Sequence, residues 1–171
     1  MQIKRGTFYV SLYPAKHRAR ITATLEVTNQ KQPWPAKVRT YLPQIIELKT
    51  VSRRIGKRWK PIPYKRQLET VLLTLKGTQG PKLSLKMAYT ISFNSKKNYL
   101  FRALFCRIDA KETYLLYGWY PALRPFADPL SGRLLKGDRF PYTLHLEVPR
   151  GQVGLSSGPL LAGINVKKGR T

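Results

Sequence analysis

The sequence predicts an all-β protein, folded as a single antiparallel β-sandwich. Its strong hydrophobic patterns alternate with a period of two, as expected for strands that bury one face. Turn-forming residues recur roughly every 8–12 residues, a spacing typical of sandwiches and barrels. With 171 residues, of which 42% are hydrophobic, the chain is long enough to bury a core. We place one domain at residues 1–164 and a basic tail at residues 165–171.

The first half of the chain predicts several strands joined by short connections. Residues 7–13 and 20–28 alternate apolar and polar side chains, and a turn at residues 13–16 connects them. The second of these segments has the most regular alternation, so we expect Leu25 to face the core and Thr24 to face the solvent. The other strands predicted in this half are residues 37–42, 45–51, 70–75 and 82–93.

The second half predicts a buried strand at residues 99–108 and a half-buried strand at residues 142–148. The latter alternates over its whole length and stops at the Pro-Arg-Gly turn of residues 149–151. A short strand, residues 152–155, is expected to follow, so that this part of the chain is built as strand, turn and strand.

Two stretches of the sequence resemble the N-terminal β domain of M1-family zinc aminopeptidases. The longer stretch consists of Trp119-Tyr120-Pro121, then Asp128-Pro129, then a strand led by Tyr142 that closes in Val148-Pro149-Arg150-Gly151 and Ser157-Gly158. The other stretch, residues 8–14 followed by residues 19–29, is similar to the opening hairpin of that domain. The resemblance implies a β-sandwich that stands without its catalytic domain.

For function, the resemblance implies a non-catalytic binding or scaffolding module, either detached or a fragment of a longer chain. Its partner would then be another protein or a missing catalytic domain. Two alternatives remain open at this point. One is a basic nucleic-acid-binding module, and the other is a truncated metallopeptidase whose catalytic half was lost or lies elsewhere.

The residues that carry catalysis in that family are not found in the sequence. The zinc-binding motif His-Glu-x-x-His does not occur, and His17 and His145 lie far apart. We expect His17 to be solvated in its turn and His145 to lie on the outer face of its strand. A single cysteine, Cys106, allows no internal disulfide and builds no cysteine metal site. The sequence thus predicts no catalytic residues, no metal site, no cofactor and no enzyme activity.

One acidic residue has a possible role that only the resemblance implies. In M1 enzymes the N-terminal domain lends a Glu or Gln that binds the free amino group of the substrate, and Glu112 precedes Pro121 by the nine positions of that family pattern. A carboxylate paired with an ammonium group would make a strong, charge-assisted contact. The intervening residues 115–118 depart from the family pattern. The alternative is a turn carboxylate that pairs with Lys111.

The charge of the chain is extreme. It contains 32 Lys and Arg against 8 Asp and Glu, for a net charge of +24. Soluble domains of this size usually carry a net charge of magnitude about 2–8. The excess favours contact with a polyanion, either nucleic acid or an anionic membrane surface. The alternative is a uniformly basic surface without a specific partner.

Residues 53–66 concentrate this charge and interleave it with aromatic side chains. Gly56, Pro61 and Pro63 argue against a helix, so we predict a loop or the tip of a strand-loop-strand unit. Basic groups could neutralise phosphates while the rings stack on unpaired bases. Alternatively, the segment is a solvated hairpin tip whose Trp59 folds back onto the core. The candidate polyanion-binding residues are Arg53, Arg54, Lys57, Arg58, Trp59, Lys60, Tyr64, Lys65 and Arg66.

No targeting or membrane-spanning segment is predicted. No apolar run reaches the roughly 18 residues of a transmembrane helix, and no secretory signal follows Met1. The compartment stays open, with a cytoplasmic protein expected if Met1 is the true start.

Overall fold

The computed structural model describes residues 1–30, 33–42, 46–78, 80–92, 106–108, 113–115, 119–123, 138 and 140–150. Within these ranges the one helical element is a 3-10 turn, Pro14–Lys16, and the chain is otherwise built of strands and loops. The strands are β1 Gln2–Tyr13, β2 Arg18–Thr28, β3 Lys37–Tyr41, β4 Ile46–Ile55, β5 Arg58–Pro61, β6 Tyr64–Gln67, β7 Thr70–Thr74, β8 Lys82–Ser92, β9 Cys106–Ile108, β10 Thr113–Leu115 and β11 Tyr142–Glu147. The predicted all-β class is confirmed.

Most strands belong to two sheets. A six-stranded sheet has the order β11-β1-β2-β8-β4-β5, and a three-stranded sheet has the order β3-β7-β6. Strands β9 and β10 form a separate antiparallel pair. Neighbouring strands are antiparallel with one exception among the described pairs, since β11 runs parallel to β1 from Gly6↔Tyr142 to Ser11↔Glu147. Alternation in a sequence reports which face is buried but not strand direction, so this parallel pair could not be predicted.

The core lies between the two sheets. From β2 and β8 it takes alternate residues, including Leu25 and Met87, and from the three-stranded sheet it takes Val38, Val71 and Leu73. Leu25 is 1% exposed and Thr24 is half-buried on the opposite face, which confirms the predicted facing of this strand. We call the face of the six-stranded sheet that packs on the three-stranded sheet its inner face, and the opposite face its outer face.

Among the described residues, the largest differences from the predicted strand boundaries are at β1 and β4. Strand β1 begins at Gln2 and not at residue 7. A bulge between Ile3 and Arg5 interrupts the alternation of buried and exposed residues, so the sequence pattern did not reveal the first part of this strand. Strand β4 continues beyond Val51 to Ile55 and carries the start of the basic segment. Three predicted segments fall on residues outside the described ranges: the first part of the strand at residues 99–108, the strand at residues 152–155 and the tail at residues 165–171.

No helix in the part of the chain that the structure describes is long and apolar enough to cross a membrane.

Candidate functional site

The basic segment at residues 53–66 is a hairpin followed by a crossover between sheets. The end of β4 pairs with β5, with Ile55 opposite Arg58, so that only Gly56 and Lys57 form the turn. Gly56 has a φ of +58°, which favours glycine at this position of a two-residue hairpin turn. Of the two predicted forms, the strand-loop-strand tip is therefore the one observed.

After β5 the chain passes to the other sheet. Ile62 is buried, and its N–H donates to the Val51 carbonyl over 3.0 Å. The Pro63 carbonyl accepts a bond from the Thr74 N–H, also at 3.0 Å. Strand β6 then pairs with β7 in the three-stranded sheet. The segment thus covers one edge of the sandwich, where its first part belongs to one sheet and its last part to the other.

Three of the nine predicted site residues form hydrogen bonds that stabilise this edge of the sandwich. The Arg53 guanidinium donates to the Thr78 hydroxyl at 2.5 Å, and the Tyr64 hydroxyl donates to the Leu48 carbonyl at 3.3 Å. Arg66 donates to the carbonyls of Ile46 and Leu42. Partial burial lowers the pKa of Arg66 from its usual value. The side chain of Arg53 thus connects β4 to the loop after β7, and those of Tyr64 and Arg66 connect β6 to β4 and to the residue after β3.

The other basic side chains of the segment are exposed to solvent. Lys57 occupies the turn itself, and Lys65 is on β6. Glu47, the acid nearest in sequence before the segment, accepts a hydrogen bond from Lys49, which lowers the pKa of that carboxyl. The exposed cations are Arg54, Lys57, Arg58, Lys60 and Lys65.

Trp59 lies on the outer face of the six-stranded sheet. It stands opposite Arg54 in the β4–β5 pair, its side chain is 37% exposed, and the Lys86 ammonium lies 5.8 Å from the centroid of its ring. The alternative in which this ring folds back onto the core is therefore wrong. We call Arg54, Trp59 and Lys86 the Trp59 cluster.

Lys86 was missed by sequence reasoning because it lies on β8, twenty residues or more from the rest of the cluster. The alternation of β8 does place Lys86 on the face opposite Met87. Its position beside the β4–β5 hairpin, however, depends on the register of β8 against β4, in which Ser52 lies opposite Lys86. That register is a tertiary property that the local pattern does not contain.

The two histidines are far from forming a joint site. His17 is half-buried, and its Nδ1–H donates to the Ile108 carbonyl over 2.9 Å, so the expected solvated role is corrected to a structural one. His145 is exposed on the outer face and stacks on Tyr9, with 4.3 Å between ring centroids and 5° between planes. Among the described residues, no group of three or more His, Cys, Asp or Glu is placed to hold a metal ion.

An aromatic cluster surrounds Phe8 at the β11 side of the sandwich. The ring of Trp119 lies 5.0 Å from that of Phe8, and Tyr120, Phe140 and Tyr142 lie 6.0–6.4 Å from it. Most of these rings are half-buried against the core, whereas Tyr142 is 41% exposed. We call these five residues the Phe8 cluster.

The Phe8 cluster is held in place by specific contacts of its neighbours. The buried Tyr89 hydroxyl donates to the Trp119 carbonyl over 2.9 Å, and burial raises the pKa of this tyrosine well above its usual value. A Cβ atom added at Gly6 would lie 2.7 Å from the rings of Phe140 and Phe8, so a side chain at this position would displace these rings. Glu112, the residue implied by resemblance to contact a substrate amine, lies outside the described residues.

Comparison with known proteins gives a likeness of fold. The chain matches no model of a known protein family and no curated protein by sequence. Among solved structures, a mutant M1 zinc metallopeptidase from Deinococcus radiodurans bound to a Tyr-Ser-Ala substrate matches with a TM-score of 0.71 at 15% identity. A two-domain M1 zinc metallopeptidase bound to L-tryptophan matches with a TM-score of 0.70 at 16% identity.

Each of these matches covers 99% of this chain and 37% of the other chain. The metallopeptidase from Deinococcus radiodurans without the mutation gives the same coverage, with a TM-score of 0.69 at 14% identity. At this level of identity the likeness shows the fold alone. The chain is a β module that resembles, in its fold, the N-terminal part of M1 zinc metallopeptidases.

Proposed function

We propose that this chain is a non-catalytic scaffold module that binds a metallopeptidase catalytic domain. The observation that carries the proposal is the coverage of the fold match, which takes in nearly the whole of this chain and about a third of each metallopeptidase. A module of that extent accounts for one part of such a protein. The catalytic part would be supplied by another polypeptide or by a further segment of the same one.

The Phe8 cluster is the surface that we assign to this contact. Aromatic side chains supply much of the binding energy in protein interfaces because they bury a large area at a small cost in conformational entropy. Tyr142 extends from the cluster into solvent, and the rings behind it are half-buried against the core. A partner that covered Tyr142 would therefore continue the packing of the sandwich.

The experiment isolates the chain from its source cells under native conditions and assays the sample for zinc and for cleavage of aminoacyl reporters. We expect both in the native sample, and neither in the chain expressed alone, because its described residues hold no metal-binding group. Stoichiometric zinc in the chain expressed alone would contradict a non-catalytic module. A native sample without peptidase would contradict the assigned partner.

The contact surface is tested with two tyrosine variants. With the catalytic part supplied as a separate polypeptide, Tyr142→Ala should reduce the amount of peptidase recovered with the chain, since it removes the exposed ring of the Phe8 cluster. Tyr9→Ala is the matched control, because Tyr9 is also exposed, at 53%, but lies on the outer face. Equal recovery with both variants would show that the contact does not involve the Phe8 cluster.

A further inference from the structure

The end of the outer face that holds the Trp59 cluster is rich in cations and poor in acids. Strands β8, β4 and β5 are adjacent in the sheet, and among them Glu47 is the one acidic residue. That residue is hydrogen-bonded to Lys49. The hairpin formed by β4 and β5 adds Arg54 on this face and Lys57 in its turn, while the exposed Arg58 and Lys60 alternate with Trp59 and lie on the other side of the edge strand β5. A ligand of negative charge would find no opposing carboxylate on the paired part of this hairpin, residues 52–61.

An exposed indole lies among these cations. Trp59 is bordered by Arg54 on the paired strand and by Lys86, 5.8 Å from its ring centroid. An indole on the solvent face of a sheet contributes little to the core, which here lies on the inner face. The pattern of an aromatic ring surrounded by phosphate-neutralising groups is that of surfaces on which unpaired bases stack.

We propose that this hairpin and Lys86 form a binding site for single-stranded nucleic acid. Trp59 stacks on one base, while Arg54, Lys57 and Lys86 neutralise the phosphates beside it, and Arg58 and Lys60 neutralise those of a strand that passes around the edge of β5. Arg53, Tyr64 and Arg66 are not part of the site, because they donate to Thr78 and to main-chain carbonyls elsewhere in the fold, whereas the exposed Arg54 uses its Nε–H for the Gly56 carbonyl of its own turn. The site does not depend on the scaffold role proposed above.

The same surface is poorly suited to two other partners. A duplex hides the faces of its bases, so it would use the cations but not the ring of Trp59. A peptide added to the edge strand β5 would need main-chain hydrogen bonds along that edge, yet β5 is four residues long, ends in Pro61 and carries two cations. Single-stranded nucleic acid uses both the ring and the charges.

The first test measures binding of a fluorescent oligothymidine of about 15 nucleotides, a length chosen to exceed one such site. Trp59→Ala should weaken binding by roughly 5- to 150-fold, the equivalent of one lost base stack. Trp59→Phe should restore most of the affinity, because phenylalanine also stacks. Tyr9→Ala, which removes an exposed ring elsewhere on the outer face, should leave the affinity unchanged.

The second test separates a specific site from the diffuse field of the net charge. If the five cations engage five phosphates, the slope of log affinity against log salt should be about −3.5 for a single strand. Changing Arg54, Lys57, Arg58 and Lys60 together to Gln should reduce that slope to about −0.7, the contribution of Lys86. A control variant with Lys4, Arg5, Lys37 and Arg39 changed to Gln removes the same charge from exposed positions outside the hairpin and should retain most of the slope.

Three results would overturn the proposal. The first is no binding of oligothymidine in about 50 mM salt, where such contacts are strongest. The second is an equal loss of affinity in the hairpin variant and the control variant, which would assign binding to net charge alone. The third is binding of polyglutamate as tight as that of oligothymidine and equally unaffected by Trp59→Ala, which would indicate an acidic protein as the partner.

Discussion

On β8, Met87 faces the sandwich and is fully buried, whereas Lys86, its neighbour in sequence, lies on the outer face beside Trp59. The same contrast exists on β2 between Leu25 and Thr24. Residues of the inner face are determined by packing against the second sheet, so their side chains are mostly apolar. Residues of the outer face are free of that requirement, and their charges and rings are therefore the better guide to function.

The largest difference between the two faces should be seen in stability. Leu25→Ala removes buried methyl groups and leaves a cavity, at an expected cost of about 2–5 kcal/mol in the free energy of unfolding. Thr24→Ala, at the adjacent residue, should cost under about 1 kcal/mol because the side chain lies on the outer face. Urea denaturation of both variants measures these values. Similar costs would mean that the outer face is covered as well.

That contrast is also where the sequence predicted the fold best. The alternation of residues 20–28 correctly assigned both faces of β2, and residues 82–93 were correctly predicted to contain the strand β8. Both strands are long and central in the sheet, so local pattern and burial agree. The parallel pairing of β11 with β1 had no local signal.

The candidate site was predicted less completely than the fold. Composition identified the basic hairpin but could not separate its exposed cations from Arg53 and Arg66, whose hydrogen bonds reach residues outside the segment. The sequence is compatible with two positions of Trp59, and the strand register that brings Lys86 to its ring selects the outer face. In each case the missing information was a contact between segments distant in sequence.

A smaller effect should distinguish two cations that are adjacent on β6. Arg66→Gln removes donors to the Ile46 and Leu42 carbonyls and should cost about 1–3 kcal/mol in the free energy of unfolding. Lys65→Gln, at an exposed side chain, should change stability by less than about 0.5 kcal/mol. Thermal unfolding of both variants gives the comparison. Equal effects would show that the hydrogen bonds of Arg66 do not stabilise the fold.

The smallest effect concerns the buried hydroxyl of Tyr89, and it depends on pH. Tyr89→Phe keeps the ring but leaves the Trp119 carbonyl without this donor, at a cost of about 0.5–1.5 kcal/mol near neutral pH. Burial raises the pKa of Tyr89 well above its usual value, so the folded protein keeps its proton at a pH where the unfolded chain has lost it. The stability contributed by the neutral hydroxyl is thus fully present below about pH 10, the ordinary tyrosine pKa.

Above that pH the unfolded state binds fewer protons than the folded state. The free energy of unfolding of the original protein should then fall by up to about 1.4 kcal/mol per pH unit from this group, until the pH reaches the raised pKa. Tyr89→Phe has no proton to lose, so its disadvantage should shrink and then reverse between about pH 10 and pH 11. Urea denaturation across this range, with Tyr9→Phe as the control for loss of an exposed hydroxyl, measures the change. A constant difference between the original protein and Tyr89→Phe at every pH would show that the hydroxyl is reached by water and that the inner face is open at this point.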